Sequence, residues 1–148
     1  RGPFRVLVAH PWNNNCGGAV ADILIVEDNA ANMRLARLLL TSAGHSVICA
    51  ADAETGLKLA RERQPALILM DIQLPGMDGL KATSLLKKDA ATAAIPVVAL
   101  TAMAMKEDEE KTRLAGCNAY IIKPLRYKEL YRVIDTLLQN TLPQQPST

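Results

Sequence analysis

The chain has few aromatic side chains, little net charge and no long apolar run. Phe, Trp and Tyr make up only 3% of its 148 residues, so few rings are available to stack on nucleic-acid bases. The net charge is +2 and the basic residues are scattered, whereas a nucleic-acid-binding face needs them clustered. No apolar stretch approaches membrane-spanning length, and no signal-peptide core follows the N-terminal arginines. We therefore expect neither nucleic acid nor a membrane among its partners.

Cysteine and histidine are also sparse, which argues against a disulfide framework and against a zinc site. Cys16, Cys49 and Cys117 lie far apart and form no Cys-x-x-Cys pair. We expect them to be buried free thiols in a reducing compartment, and hence a cytoplasmic protein. His10 and His45 have no other ligand residue at the spacing of a zinc site.

The composition is that of a globular domain with one core, flanked by two less regular segments. Hydrophobic residues make up 49% of the chain and charged residues 22%. Residues 1–21 are predicted to form an N-terminal extension that is poorly ordered or loosely docked. Residues 22–140 are predicted to be the folded domain, and the Pro/Gln-rich residues 141–148 a disordered tail. Because the first residue is Arg rather than Met, we expect a fragment, a processed chain or an expression product.

Within residues 22–140, five short apolar runs alternate with five segments of helical periodicity. The runs are predicted to be strands at 23–26, 46–50, 66–70, 95–100 and 119–122. Asn29, Asp52 and Asp78 are suited to cap the first three helices. The last three helices are predicted at 79–88, 106–115 and 126–139. Strands that are apolar throughout are typical of a parallel sheet covered on both faces, so we predict a doubly wound α/β domain.

Charged and hydroxyl side chains stand directly after four of these strands. Ligands of doubly wound sheets bind at the carboxyl ends of the strands, so we expect these side chains to converge. They are Glu27 and Asp28, Asp71, Thr101 and Lys123. Three carboxylates repel one another unless a hard divalent cation such as Mg²⁺ lies between them. With that cation bound, a carboxylate can attack a phosphoryl group, and the ammonium and hydroxyl groups can contact the phosphoryl oxygens.

Together, in this order, these motifs resemble those of the response-regulator receiver domain of bacterial two-component signalling. The resemblance runs from Asp22 to about Leu138 and is nearest to single-domain, chemotaxis-regulator-like members. It rests on Ile-Val-Glu27-Asp28-Asn29, on Leu-Met-Asp71-Ile-Gln-Leu-Pro-Gly-Met-Asp-Gly, on Ala-Leu-Thr101-Ala and on Ile-Lys123-Pro124. It implies a flavodoxin-like sheet of five parallel strands in the order 2-1-3-4-5.

The resemblance also implies a role for each residue of the acidic edge. Asp71 would accept a phosphoryl group from the phosphohistidine of a histidine kinase or a histidine phosphotransfer protein. Asp28 and Asp71 would bind Mg²⁺ directly, together with the backbone carbonyl of Gln73. Glu27 would bind the same ion through a water molecule.

A second set of residues would convert phosphorylation into a change of shape. Lys123 would hold the phosphoryl group, and the Lys123-Pro124 bond is expected to be cis. Thr101 would move toward the phosphoryl group and Tyr120 would swing inward with it. Output would be a protein–protein contact through the face formed by the fourth helix, fifth strand and fifth helix. Homodimer formation is left open.

Other interpretations of the same sequence compete with this one. The domain could have been excised from a hybrid histidine kinase or another multidomain regulator. An Mg²⁺-dependent aspartyl-phosphate phosphatase of the haloacid-dehalogenase type is disfavoured, because Gln73 stands where such enzymes carry a second Asp. We therefore expect the chain to catalyse no reaction other than its own phosphorylation and its own dephosphorylation. Alternative sites of partner contact are Met105, Tyr127 and Tyr131 on a face of the last two helices, and Met103 is expected to hinder hydrolytic water.

Overall fold

The structure, a computed structural model, describes residues 21–102 and 106–141, with the side chains of 106–108, 140 and 141 left out of account. Five strands alternate with five helices along this part of the chain. The strands are β1 (Asp22–Val26), β2 (Ser46–Ala50), β3 (Leu67–Asp71), β4 (Val97–Thr101) and β5 (Ala119–Ile122). The helices are α1 (Ala30–Ser42), α2 (Ala53–Arg63), α3 (Gly79–Lys88), α4 (Lys106–Ala115) and α5 (Tyr127–Thr141).

All five strands are parallel and form one sheet in the order β2-β1-β3-β4-β5, which confirms the predicted arrangement. The order reverses between β1 and β3, since the chain first runs outward to β2 and then returns to the other side of β1. At such a switch point the loops that follow the two strands diverge to opposite faces and leave a crevice at their carboxyl ends.

Alternate residues of each strand enter two separate hydrophobic cores, one on each face of the sheet. On one face, Ile25 and Leu69 pack with Leu40 of α1 and with Leu130 of α5. On the other face the sheet packs with small residues of α2 and with α3. Each fully buried Leu or Ile stabilises the fold by about 1.5–3 kcal/mol, so the two cores hold the strands rigidly and fix their ends relative to one another.

The predicted caps form at the starts of three helices. The side chain of Asn29 accepts a hydrogen bond of 2.9 Å from the backbone N–H of Asn32. Asp52 accepts one of 2.8 Å from Thr55, and Asp78 starts α3 in the same way. These bonds satisfy amide groups that a helix leaves unpaired at its N-terminus.

Several boundaries differ from the prediction by one or two residues. Strand β4 begins two residues late, because Pro96 has no N–H and the amide of Ile95 bonds to Thr92 in the preceding loop. Strand β3 ends one residue later, so Asp71 itself is a strand residue. Helix α5 extends to Thr141, one residue beyond the predicted end of the domain.

The N-terminal boundary also differs slightly, and one cysteine was assigned wrongly. Ala21, predicted to belong to the extension, donates to His45 Nδ1 at 3.1 Å and accepts from the amide of Ser46. The rest of the extension and of the tail lies outside the described residues.

Cys49 is exposed on β2 rather than buried, whereas Cys117 is partly buried, and both are free thiols. Among the described helices, none has both the length and the apolar character that crossing a membrane requires.

Candidate functional site

Three strands deliver charged side chains to one point at the carboxyl edge of the sheet. Glu27 follows β1 directly, Asp71 ends β3, and Lys123 follows β5 directly. Each stands two positions after a strand residue that packs against α1 and α5, so strand alternation directs all three toward the same side. Those preceding residues are Ile25, Leu69 and Ile121. The neighbouring register of β1 and β3 then brings the two carboxylates side by side.

The ammonium group of Lys123 lies between the two carboxylates. Its Nζ is 3.1 Å from Oε1 of Glu27 and 3.3 Å from Oδ2 of Asp71. The carboxylate side chains are only 2% and 4% exposed, and the lysine side chain is 19% exposed. Two buried negative charges thus share one positive charge, which leaves the site able to take up a further cation.

The buried carboxylate of Glu27 has one oxygen without a hydrogen bond from the described residues and a shifted pKa. Its Oε2 accepts a hydrogen bond of 3.1 Å from the amide of Asn29. Its Oε1 accepts no hydrogen bond from any described residue, and the ion pair with Lys123 is its contact. Burial raises the pKa of Glu27 above its ordinary value and the neighbouring Asp71 raises it further, against the opposing effects of the Asn29 amide and of Lys123.

Asp28 adds a third carboxylate at the solvent side of the pair. One oxygen from each of Glu27, Asp28 and Asp71 lies within 4.8 Å of the other two. Asp28 is exposed, while the other two are buried, so the cluster opens to solvent on one side. Carboxylate oxygens are the donors that hard divalent cations prefer, and the unsatisfied Oε1 of Glu27 fits the same requirement. The cluster could therefore hold a metal ion.

The backbone of Gln73 orients Asp71. Its amide donates a hydrogen bond of 3.0 Å to Oδ1 of Asp71, while the Gln73 side chain is exposed. Oδ1 is thereby held toward the loop and Oδ2 toward Lys123.

Thr101 is buried at the end of β4, beside the strand that carries Lys123. Its backbone carbonyl accepts a short hydrogen bond of 2.7 Å from the amide of Lys123. The Lys123-Pro124 peptide bond is cis. Thr101 and Lys123 are thus joined through the backbone at the edge where the two carboxylates lie.

Tyr120 is a predicted site residue whose polar group contacts α4 instead of this cluster. Its hydroxyl donates a hydrogen bond to Oε2 of Glu109 on α4. That bond is the main cause that raises the pKa of the Tyr120 phenol above its ordinary value. Tyr120 is paired with Ala99 and the next-but-one residue, Ile122, with Thr101, so the side chains of Tyr120 and Thr101 leave the same face of the sheet.

Two residues that shape the site were not identified from the sequence. Gly79, at the start of α3, is so close to the end of β3 that a Cβ atom there would lie 2.1 Å from the carbonyl oxygen of Asp71. A glycine immediately after a helix cap, where a better helix former is usual, is the signal that could have revealed this contact. The second residue is Glu109, whose carboxylate joins α4 to β5 by accepting the hydrogen bond of Tyr120.

The proposed contact face of the last two helices needs a correction. Tyr131 points toward α1, because its hydroxyl donates to the carbonyl of Leu39 at 2.8 Å. The ring of Tyr127 packs edge-on against Tyr131 and is more than half exposed, in a groove between α1 and α5. Neither tyrosine therefore lies between α4 and α5, and Met103 and Met105 lie outside the described residues.

Comparison with known proteins identifies the family. Residues 23–135 match the family model described as response regulator receiver domain. The polar-differentiation response regulator DivK of Brucella anthropi is 47% identical over 116 residues, which are 78% of this chain and 94% of that protein. Its relative from Brucella ovis shows the same identity and coverage.

Solved structures agree with the sequence comparison. The receiver domain of sensor histidine kinase PA1611 from Pseudomonas aeruginosa, which has a magnesium ion coordinated in its active site cleft, is 35% identical with a TM-score of 0.76, over 81% of this chain and 98% of that one. The chemotaxis protein CheY4 of Vibrio cholerae, at 23% identity and a TM-score of 0.76, shares the fold over 80% of this chain and 99% of that one. The chain therefore belongs to the response regulator receiver domain family of two-component signalling.

Proposed function

We propose that the chain is a phosphorylation-controlled switch whose phosphoryl acceptor is Asp71. The observation that carries this proposal is the partly buried Lys123 between the buried Glu27 and Asp71, at distances of 3.1 and 3.3 Å. A lysine paired with a single carboxylate would form a neutral pair. Here one ammonium group faces two carboxylates, so one negative charge stays unbalanced. Receiver domains in general interact with histidine kinases and with downstream targets, so the donor would be a phosphohistidine of a kinase or of a phosphotransfer protein.

In the proposed reaction, a carboxylate oxygen of Asp71 attacks the phosphorus atom. The bond between phosphorus and the histidine nitrogen breaks, and its electron pair stays on the imidazole. Asp71 is left as an acyl phosphate. The amide of Gln73 fixes the orientation of the carboxylate through Oδ1. Lys123, already beside Oδ2, is placed to pair with the added phosphoryl oxygens.

The carboxylate cluster would hold Mg²⁺. Asp28 and Asp71 would be direct ligands with the backbone carbonyl of Gln73, and Glu27 would contribute through water. The support is the close approach of the three carboxylates together with the open, solvent-facing side at Asp28. The ion would neutralise the charge that otherwise keeps an anionic phosphoryl donor away from a carboxylate.

Thr101 and Tyr120 would report the phosphoryl group to the surface. The Thr101 hydroxyl would move toward a phosphoryl oxygen, and the Tyr120 ring would follow inward on the same face of the sheet. The phosphoryl group would thus favour one of two existing states rather than create a new one. The shared face of Thr101 and Tyr120 and the backbone bond from Lys123 to Thr101 support this coupling.

A downstream protein would read the change at the cleft between α4 and α5, which we call the output cleft. It has a volume of about 670 Å³, and Tyr120 lines it together with charged residues of both signs. Those charged residues are Glu109, Glu110, Arg113, Glu129 and Arg132. Because Tyr120 lies in its wall, inward rotation of the ring would alter the shape that a partner meets. A second copy of the chain is the alternative occupant.

Phosphorylation by a small donor tests the proposal. The protein is incubated with Mg²⁺ and acetyl phosphate, and its intact mass is measured. We expect wild type to gain one phosphoryl group, Asp71→Asn to gain none, and wild type with excess EDTA to gain none. Asp78→Asn is the matched control, since it lies in the same loop and an asparagine keeps the cap of α3. A wild type that stays unmodified, or an Asp71→Asn variant modified as fast as wild type, would refute the proposal.

A further inference from the structure

The hydrogen bond between Tyr120 and Glu109 joins β5 to α4 at the wall of the output cleft. The phenol donates to the glutamate carboxylate, so a neutral donor meets a charged acceptor. The backbone of Glu109 is held in place, because the buried side chain of Thr112 donates to its carbonyl at 2.7 Å. The acceptor for Tyr120 is therefore set on an anchored turn of α4 rather than on a free loop.

The neighbouring acid serves a different partner. Glu110 pairs with Arg113 one turn further along α4, and both side chains are largely exposed. Glu129 of α5 also acts on the Tyr120 phenol through its charge, although Glu109 has the larger effect. Glu109 is thus distinguished from Glu110 by what it contacts and not by its charge or exposure.

The outward position of Tyr120 and the proposed inward position exclude each other. The proposed inward rotation would carry the ring toward Thr101, its diagonal neighbour on the same face of the sheet, and its hydroxyl away from Glu109. Inward rotation must first break the bond to the carboxylate. Any interaction that stabilises only the outward state lowers the population of the inward state.

We propose that Glu109 is a positioning residue that holds Tyr120 outward and so opposes the phosphorylated state. The inference rests on the proposed function, because it concerns the inward movement of Tyr120 that phosphorylation of Asp71 would favour. Because coupling between two sites is reciprocal, a residue that restrains Tyr120 also makes the phosphorylated state of Asp71 less favourable. If the inward state is the one that accepts the phosphoryl group, the restraint also lowers the rate of acceptance by lowering the population of that state. Loss of the carboxylate should therefore shift the unmodified protein toward the state that phosphorylation favours.

Two substitutions on adjacent residues separate this role from a general effect of charge. Glu109→Ala removes the acceptor for Tyr120, and Glu110→Ala removes the same charge from the next position of the same helix. Tyr120→Phe removes the donor, and the double variant Glu109→Ala/Tyr120→Phe tests whether Glu109 acts through the phenol. The full chain is used throughout.

The orientation of Tyr120 can be followed without any phosphoryl group. The chain has three tyrosines, so ¹⁹F NMR of protein labelled with 3-fluorotyrosine gives few resonances, and Tyr120→Phe assigns the relevant one. Beryllofluoride with Mg²⁺, a phosphoryl mimic, marks the resonance position of the activated state. We expect Glu109→Ala to move the Tyr120 resonance of the unmodified protein toward that position, and Glu110→Ala to leave it unmoved.

The rate of phosphorylation by acetyl phosphate gives the second readout. We expect Glu109→Ala to react about two- to tenfold faster than wild type, the range for loss of one such hydrogen bond. Glu110→Ala should react like wild type, and Glu109→Ala should give no acceleration when Tyr120 is already Phe. Equal effects of the two alanine variants, or acceleration that persists without the phenol, would overturn the proposal.

The outcome also separates this inference from the proposed function. A wild type that accepts no phosphoryl group refutes the switch, while the resonance of Tyr120 in the unmodified variants still shows whether Glu109 holds the ring. A wild type that is phosphorylated, with Glu109→Ala indistinguishable from Glu110→Ala by both readouts, refutes the role of Glu109 alone.

Discussion

Two partly buried lysines lie at opposite edges of the sheet, and their surroundings differ in charge. Lys123 lies at the carboxyl edge, between the carboxylates of Glu27 and Asp71. Lys87, near the end of α3, lies at the amino edge, where β4 and β5 begin. Its Nζ donates to three uncharged oxygens, at 3.3, 2.7 and 3.1 Å. These are the carbonyls of Ala93 and Ile95 and the side-chain oxygen of Asn118.

The difference separates a lysine that ties elements of the fold together from one that lies at the proposed phosphorylation site. Three neutral acceptors satisfy the three donors of the Lys87 ammonium, and they tie α3 to the loops before β4 and β5. Burial lowers the pKa of Lys87, and none of its hydrogen-bond partners among the described residues is a carboxylate that would offset desolvation. Lys123 instead lies beside two carboxylates, whose combined negative charge exceeds its single positive charge. The neutral oxygens around Lys87 have no excess charge with which to attract another ion. The carboxylates around Lys123 have an excess negative charge, so they can bind a cation.

The largest expected effect is on phosphorylation when each lysine is replaced by methionine, which keeps most of the apolar stem. Lys123→Met should slow phosphorylation by acetyl phosphate by about a hundredfold, the scale for loss of one preorganised group that stabilises developing charge. Lys87→Met should change the rate less than about threefold, because it contacts no group of the site. Time courses of intact mass measure both rates. Similar losses in both variants would abolish the distinction between the two edges.

The next effect concerns two glycines, one that contacts the backbone of Asp71 and one that contacts Lys87. A Cβ at Gly79 would meet the backbone of Asp71 at 2.1 Å, and one at Gly116, where φ is +105°, would meet Cγ of Lys87 at 2.7 Å. We expect Gly79→Ala to lower the free energy of unfolding by about 3 kcal/mol, because the backbone of Asp71 cannot move aside. Gly116→Ala should lower it by about 2 kcal/mol, because the Lys87 side chain can move away but alanine remains strained at the positive φ.

Urea denaturation measures these losses, and phosphorylation rates sharpen the comparison. Gly79→Ala displaces the backbone that carries the proposed acceptor, so it should also slow phosphorylation. Gly116→Ala should leave the rate of its folded fraction near that of wild type. A Gly116→Ala variant that folds stably but loses phosphorylation would contradict the separation of the two edges.

The third effect has opposite signs at the two edges. Asp71→Asn removes one of two crowded carboxylates and leaves Glu27 paired with Lys123, so we expect the free energy of unfolding to rise by about 1 kcal/mol. Lys87→Met removes the ammonium donor from the part-buried carbonyls of Ala93 and Ile95, while Asn118 keeps the Val97 amide as a donor, and should lower it by about 2 kcal/mol. Both are measured by urea denaturation in the presence of EDTA. A destabilised Asp71→Asn would show that the acidic edge is not under electrostatic strain.

The smallest effect is a pH dependence at the amino edge. Burial lowers the pKa of His45 below its ordinary value of 6.5, and its Nδ1 accepts from Ala21. As the pH falls below that ordinary value, the unfolded chain takes up a proton that folded His45 resists, so stability falls until the lowered folded pKa is passed.

His45→Gln tests this assignment. Titration of one group limits the slope of the unfolding free energy to about 1.4 kcal/mol per pH unit, and the variant should lack that part of the slope. Denaturation at several pH values between about 8 and 5 gives both curves. If wild type and variant gave parallel curves over this range, His45 would not titrate in the way its burial implies.

The fold could be predicted largely because its signals are local. The bounds of β2, α3, α4 and β5 were predicted to the residue, since each is a short apolar run or a periodic segment between caps and glycines. The start of β4 was misplaced because the run from Ile95 is apolar, although Pro96 interrupts its hydrogen bonding. The C-terminal cap of α2, a left-handed Gln64, left no signal because non-glycine residues rarely adopt that conformation.

The site divides in the same way. Glu27, Asp71 and Lys123 could be placed together because each stands at the carboxyl end of a strand of one parallel sheet. The direction of Tyr131 toward α1 and the contact of Tyr120 with Glu109 depend on how helices settle on the sheet, which no local pattern specifies. The partners of Lys87 also could not be predicted, since one of them is 31 residues away.

Chemical mapping of the phosphorylated residue tests the central claim most directly. Wild type treated with acetyl phosphate and Mg²⁺ is reduced with borohydride, which converts an aspartyl phosphate to homoserine, and its peptides are sequenced by mass spectrometry. If Asp71 at the carboxyl edge of the sheet is the phosphoryl acceptor, we expect homoserine at position 71 and unchanged aspartates at Asp28 and Asp78. Homoserine at another aspartate, or a phosphoryl group retained elsewhere while Asp71 stays intact, would contradict it.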